Sequence, residues 1–138
     1  MTFAGINYIA VFAAAVASFA FGAGWYMTLS KQWLAALGRT ETECKAAQGG
    51  SPLPFVICFL AELLMAWMLA GLIGHMGGVS IRTGVITGAF CWLGFVIPAL
   101  ATNHAFQGAK RSLTLIDGAH WLGVLLVQGL VIGALGVR

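Results

Sequence analysis

Four apolar runs, about Tyr8 to Leu29, Leu53 to Ile73, Thr83 to Ala101 and Leu113 to Val137, divide this chain. A helix needs about 20 apolar residues to cross a bilayer, so each run is long enough to span or nearly so. No Lys or Arg precedes the first run, so it lacks the basic start of a signal peptide and reads as a mature span. Glu62 alone interrupts the second run. Pro98 lies near the end of the third, where a kink or a stop costs little. The fourth carries Asp117, His120 and Gln128. The pattern predicts an all-α, integral membrane bundle of four transmembrane helices, forming one domain over residues 1–138.

The stretches between the runs have local order of their own. Ser30 to Leu37 alternates as a short amphipathic helix lying on the interface, closed by Gly38. Thr40-Glu41-Thr42-Glu43 is a capping-box pattern that starts a second short helix ending at Gly49-Gly50. Asn7 is placed to cap the first span or to sit in the headgroup region. Three pairs of small residues at four-residue spacing, Ala20-xxx-Gly24, Gly84-xxx-Gly88 and Gly129-xxx-Gly133, let helices approach closely. They predict a tight bundle and a homo-oligomer.

Composition agrees with the membrane assignment and removes other classes. The chain is 60% apolar and 8% charged, against roughly 45–50% and about 25% in soluble domains. Lipid is therefore its first partner. The net charge of +3 comes from Lys31, Arg39, Lys45, Arg82, Lys110, Arg111 and Arg138, which fall at the ends of apolar runs. That is a topology signal and not the basic stripe of a nucleic-acid binder. Five of the seven lie in connections one and three, so the positive-inside rule puts those connections in the cytoplasm and both termini outside. Trp25, Tyr26 and Trp33 fit an aromatic belt at the inner face, and Trp92, deeper in its span, packs inside. Cys44, Cys58 and Cys91 have no paired spacing and predict neither disulfides nor a zinc motif.

The chemistry lies in the buried polar residues. A charged side chain at membrane depth costs about 2.5–3.5 kcal/mol on insertion scales, so it must be paired, hydrated or functional. At about 1.5 Å per residue, Glu62 lies about 13 Å from the cytoplasmic end, with Asp117 and His120 roughly 6 and 10 Å deep. Asn103 and His104 sit where span three returns to that side. All five can meet in the inner half of the bundle. Three readings follow: interhelical glue that fixes packing in a structural or accessory subunit, a pocket or path for a proton, ion or small solute, and a metal or catalytic site. Glu62, Asp117, His120 and His104 are acceptable metal ligands, but the Glu-xxx-His pairs of bundle metal sites are absent. Phosphate-binding loops and Ser-His-Asp arrangements are absent too, and no cofactor is indicated.

Asn7-Tyr8 opens the first span, Gly22-x-Gly24-Trp25-Tyr26 closes it, and Lys31-x-Trp33 follows. With Trp92-Leu93-Gly94-Phe95, Asn103 and Asp117-x-x-His120, this order resembles the small bacterial membrane family catalogued as domain of unknown function 1761. The resemblance covers nearly the whole chain. It implies a compact four-span protein of a bacterial inner membrane and carries no activity. Glu62 has no counterpart in those motifs.

Overall fold

The computed structural model describes residues 3–136. The end of the fourth expected span at Val137, and Arg138 with its charge, lie outside them. Within them the chain forms six helices: α1 (Tyr8–Thr28), α2 (Ser30–Leu37), α3 (Glu41–Ala47), α4 (Leu53–His75), α5 (Ile81–Phe106) and α6 (Arg111–Leu135). Among the described residues α1, α4, α5 and α6 are the helices long and apolar enough to cross a membrane.

Local chemistry sets the helix starts. The Asn7 carboxamide oxygen accepts from the backbone N–H groups of Ile9 and Ala10, satisfying donors that the first turn leaves free. Thr40 and Glu43 form the complete capping box of α3, and Ser80 caps α5 through the N–H of Thr83. Gly38 ends α2 in the left-handed region at φ 67°, a conformation that costs glycine little. On α3, Lys45 pairs with Glu41 at 2.8 Å. That contact holds the exposed Glu41 carboxyl below its usual range and the Lys45 ammonium above its own.

Span three departs from the sequence expectation. It runs beyond its expected end at Ala101 to Phe106, because the turn before Pro98 widens. Trp92–Val96 is a π turn, in which the Ile97 N–H reaches back to the Trp92 carbonyl. An ordinary helix would press the Pro98 ring onto the carbonyl of Gly94, four residues earlier; the wide turn relieves that clash. Asn103 and His104 are therefore helical residues of α5.

The last helix, α6, is the centre of the bundle and packs against α1, α4 and α5. Its approach to α5 is set by glycines. A Cβ on Gly84 would run into the Gly129 carbonyl, one on Gly129 into the Gly84 carbonyl, one on Gly88 into the Leu125 carbonyl and one on Gly133 into the Ser80 carbonyl. Both glycine pairs are thus used within one chain, backbone against backbone. The third pair behaves differently: Ala20 and Gly24 are exposed, and a Cβ on Gly24 would meet nothing. Val11, Ala14, Ala66, Leu69, Ala70, Ile73, Leu125 and Ile132 form the core where α1, α4 and α6 meet. Large apolar side chains such as Ile9, Phe12, Leu60, Leu64, Phe90 and Phe95 face outward, as they do on a surface solvated by lipid.

At one end of the bundle α2 folds back onto α6. There the Lys110 ammonium donates to the Ala35 carbonyl at 3.0 Å, joining the connection that follows α1 to the one that precedes α6. Lys31, Arg39, Lys45, Lys110 and Arg111 all belong to these two connections or their borders. This is the basic end, and the site lies in its half of the bundle.

Candidate functional site

Consecutive aromatic residues at the end of α1 grip the first turns of α6. The Trp25 indole N–H donates to the Ile116 carbonyl at 3.1 Å, and the Tyr26 hydroxyl donates to Asp117 Oδ1 at 2.6 Å. From the other side the Trp92 indole, on the π turn of α5, donates to the Gly118 carbonyl at 2.8 Å. Trp25 and Tyr26 therefore turn their polar ends into the protein, whereas a belt would turn them to headgroups. Trp33 of α2 packs edge-on against the Tyr26 ring with centroids 5.5 Å apart. Trp92 does pack inside, as expected for its depth.

His104 and Asp117 come together loosely, with His104 Nε2 4.0 Å from Asp117 Oδ2. The other ring nitrogen of His104 is 2.8 Å from the Thr114 hydroxyl. Asn103, one position earlier, is exposed and does not join them. One turn beyond Asp117, the His120 ring is held by aromatic neighbours. Tyr26 and Trp121 each lie 4.8 Å away by centroid, and Phe21 lies nearly parallel at 6.4 Å. A Cβ at residue 22 would come within 2.7 Å of His120 Nε2, so Gly22 makes room for the imidazole. His120 is 3% exposed and its Nδ1 has no hydrogen-bond partner among the described residues.

Glu62 forms a separate group. It is fully buried, and Ser18 donates to its Oε2 at 2.7 Å. The Cys58 thiol, one turn earlier on α4, lies 3.4 Å from Oε1. The Gln128 amide donates both to Ser18 Oγ at 3.1 Å and to the Glu62 backbone carbonyl at 2.9 Å. Gln128 Oε1 is left without a partner. This network ties α1, α4 and α6 at their common core. Sequence reasoning missed Ser18 and Cys58. Cys58 stands four residues before Glu62, one turn away, and that spacing was the available signal. Ser18 is a single hydroxyl in a run of small apolar residues and gives none.

The five residues expected to meet are thus distributed: Asp117 with His104, His120 beside them across Tyr26, Glu62 in its own network, and Asn103 outside. A cavity rejoins part of the set. About 510 Å³ in volume, it lies between α1 and α4 and is bounded by Phe19, Ala23, Tyr26, Met27 and Phe55, with Cys58, Glu62 and His120 among its walls. Its surface is almost wholly apolar. A second, more open pocket of about 560 Å³ lies between α2 and α3 at the end of α1 and is bounded by Lys31, Glu41, Lys45 and Gln48. Tyr26, Met27 and Ser30 border both, so the inner cavity adjoins the polar basic end. Among the described residues no three His, Cys, Asp or Glu side chains stand close enough together to hold a metal ion. The metal-site reading of Glu62, Asp117, His120 and His104 therefore lacks a ligand set.

Four apolar helices packed as a bundle, with polar groups turned inward, define a multi-pass membrane protein of small size. A family model described as a protein of unknown function, DUF1761, matches residues 9–133, and the chain belongs to that family. No curated protein and no solved structure matches it. The residues on which the family resemblance rests are far apart in the chain, yet Gly22, Trp25, Tyr26, Trp33, Trp92, Asp117 and His120 gather around one turn of α6.

Proposed function

We propose that this protein binds a small, mainly apolar solute inside the membrane, in the cavity between α1 and α4. One observation carries this reading: a fully buried carboxyl, Glu62, and a buried imidazole, His120, line the same apolar cavity of about 510 Å³. Sites for small molecules are concave, mostly apolar and supplied with a few convergent polar groups. In this reading the apolar walls meet the solute, and Glu62 and His120 stand directly behind them. Asp117 and His104 act at one remove, since the Asp117 carboxyl holds the Tyr26 hydroxyl and so fixes the ring that forms the cavity wall. The basic end faces the cytoplasm by the positive-inside rule, and the solute enters there, past α2 and α3. The reading includes an inner-membrane location and association of copies through the free Ala20–Gly24 face. Recovery of monomer alone after crosslinking in native membranes would end the claim of association.

A thermal-shift screen of small aromatic and aliphatic solutes on the detergent-purified protein tests the binding reading. Binding should raise the melting temperature of the wild type and not of an Ala23→Trp variant, whose indole fills the cavity. A screen in which no solute stabilises the wild type selectively would sink it.

The glue reading also has an observation of its own, because Ser18, Glu62 and Gln128 join three helices. Interhelical hydrogen bonds in membranes contribute about 0.6 kcal/mol on average and up to about 1.7 kcal/mol. A Glu62→Gln, Asp117→Asn double variant that melts several degrees below the wild type would favour an accessory protein whose polar cluster only fixes packing. Equal or higher melting would mean that the acids are kept for a purpose other than stability.

A further inference from the structure

We infer that the solute is a lipophilic organic cation, an ammonium carrying an aromatic or branched apolar group, bound with its charge beside Glu62. The inference rests on the proposed binding cavity and adds the chemistry of its occupant. Glu62 is a carboxyl with no basic partner: the ion pairs among the described residues are Lys45 with Glu41 and the looser His104 with Asp117. The neighbours of its carboxyl oxygens, Ser18 and Cys58, are neutral. A carboxyl so deeply buried can ionise only beside a cation that offsets its lost hydration, and among the described residues no Lys or Arg pairs with it.

The walls select the kind of cation. Phe19, Tyr26 and Phe55 bring three aromatic rings to the cavity, and the faces of such rings attract an alkylammonium, most strongly where water is excluded. The Tyr26 hydroxyl is committed to Asp117, so the ring is what Tyr26 offers. Small metal cations require several oxygen ligands, and here a single carboxylate stands among apolar groups with no three-ligand cluster among the described residues. Anions fare worse: among the described residues no Lys or Arg lines the cavity, and its acidic residue disfavours them.

The test uses the full-length protein in detergent, with intrinsic tryptophan fluorescence as the readout. Benzyltrimethylammonium is compared with neopentylbenzene, its uncharged carbon isostere, and with benzoate. The wild type should bind the cation about tenfold more tightly than the isostere, the scale of a desolvated cation–π and ion-pair contact. Glu62→Gln should abolish that preference while still binding neopentylbenzene, which shows that the variant is folded and its cavity intact. Equal wild-type affinities for the two probes, a preference for benzoate, or an unchanged preference in Glu62→Gln would overturn the assignment of a cation and leave the apolar cavity standing. If none of the three probes binds, the binding reading falls and the cation with it.

Discussion

Ser18 has one hydroxyl proton and two acceptors within reach, the Glu62 carboxylate at 2.7 Å and the Ala15 carbonyl at 3.1 Å. The shorter contact takes the proton, which leaves the hydroxyl lone pairs for the Gln128 amide. Removing this one oxygen strips a donor from Glu62 and an acceptor from Gln128, both fully buried. Ser18→Ala should therefore cost about 1–2 kcal/mol in unfolding from detergent; an unchanged melting curve would mean that the network contributes nothing. Asp117 allows a finer comparison. Asparagine at 117 keeps an oxygen for the Tyr26 hydroxyl, whereas alanine leaves the phenol without its acceptor. Asp117→Ala should lose about 1–3 kcal/mol and Asp117→Asn less than half of that, as read by thermal unfolding of the two variants side by side. The sequence reveals such residues unevenly. A carboxyl in an apolar run announces itself by its cost. A serine there does not, because its hydroxyl can always satisfy itself on the backbone three or four residues back, and only the neighbouring helices decide otherwise.

Helices raise the same problem for glycine. Ala20-xxx-Gly24 and Gly129-xxx-Gly133 are equivalent as patterns, but the fold puts them in opposite surroundings. Gly129 lies against the backbone of Gly84, with no room for a methyl group, while Gly24 faces open space. Gly129→Ala should destabilise the bundle by about 1–3 kcal/mol through overpacking. Gly24→Ala should leave the fold of a single chain unchanged or stabilise it by up to about 1 kcal/mol through helix propensity, while weakening the proposed association of copies through that face. Melting temperatures of the two variants decide this, and equal losses would refute the assigned packing. The helix ends were more legible: the cap at Thr40, the left-handed Gly38 and the Asn7 cap all follow from contacts within a few residues. The π turn was not, since Pro98 alone permits a stop, a kink or a widened turn. What resolves it is tertiary, namely the Trp92 indole on that turn reaching the Gly118 carbonyl of α6.

At the scale of the whole molecule, the fold class was written in the four apolar runs, because membrane span length and hydropathy are properties of the local sequence. The meeting of distant polar residues was not. Depth along each helix placed Glu62, Asp117 and His120 in one half of the bundle, but rotation about each helix axis sorted them into separate groups and turned Asn103 outward. Orientation is the remaining property that belongs to the molecule as a unit, and for the proposed solute it would fix the side of entry. Five basic residues, Lys31, Arg39, Lys45, Lys110 and Arg111, gather at the end where α2 folds over α6. The positive-inside rule predicts that such an end stays in the cytoplasm. An alkaline phosphatase domain fused after Arg138 should then be active, since it reaches the oxidising side, and the same domain inserted at Gly50 should be inactive. A fluorescent protein at the two positions should give the reverse pattern. If the Gly50 fusion carries the phosphatase activity, the basic end faces outward. The cavity between α1 and α4 would then take its solute from outside the cell, and entry from the cytoplasm would be excluded.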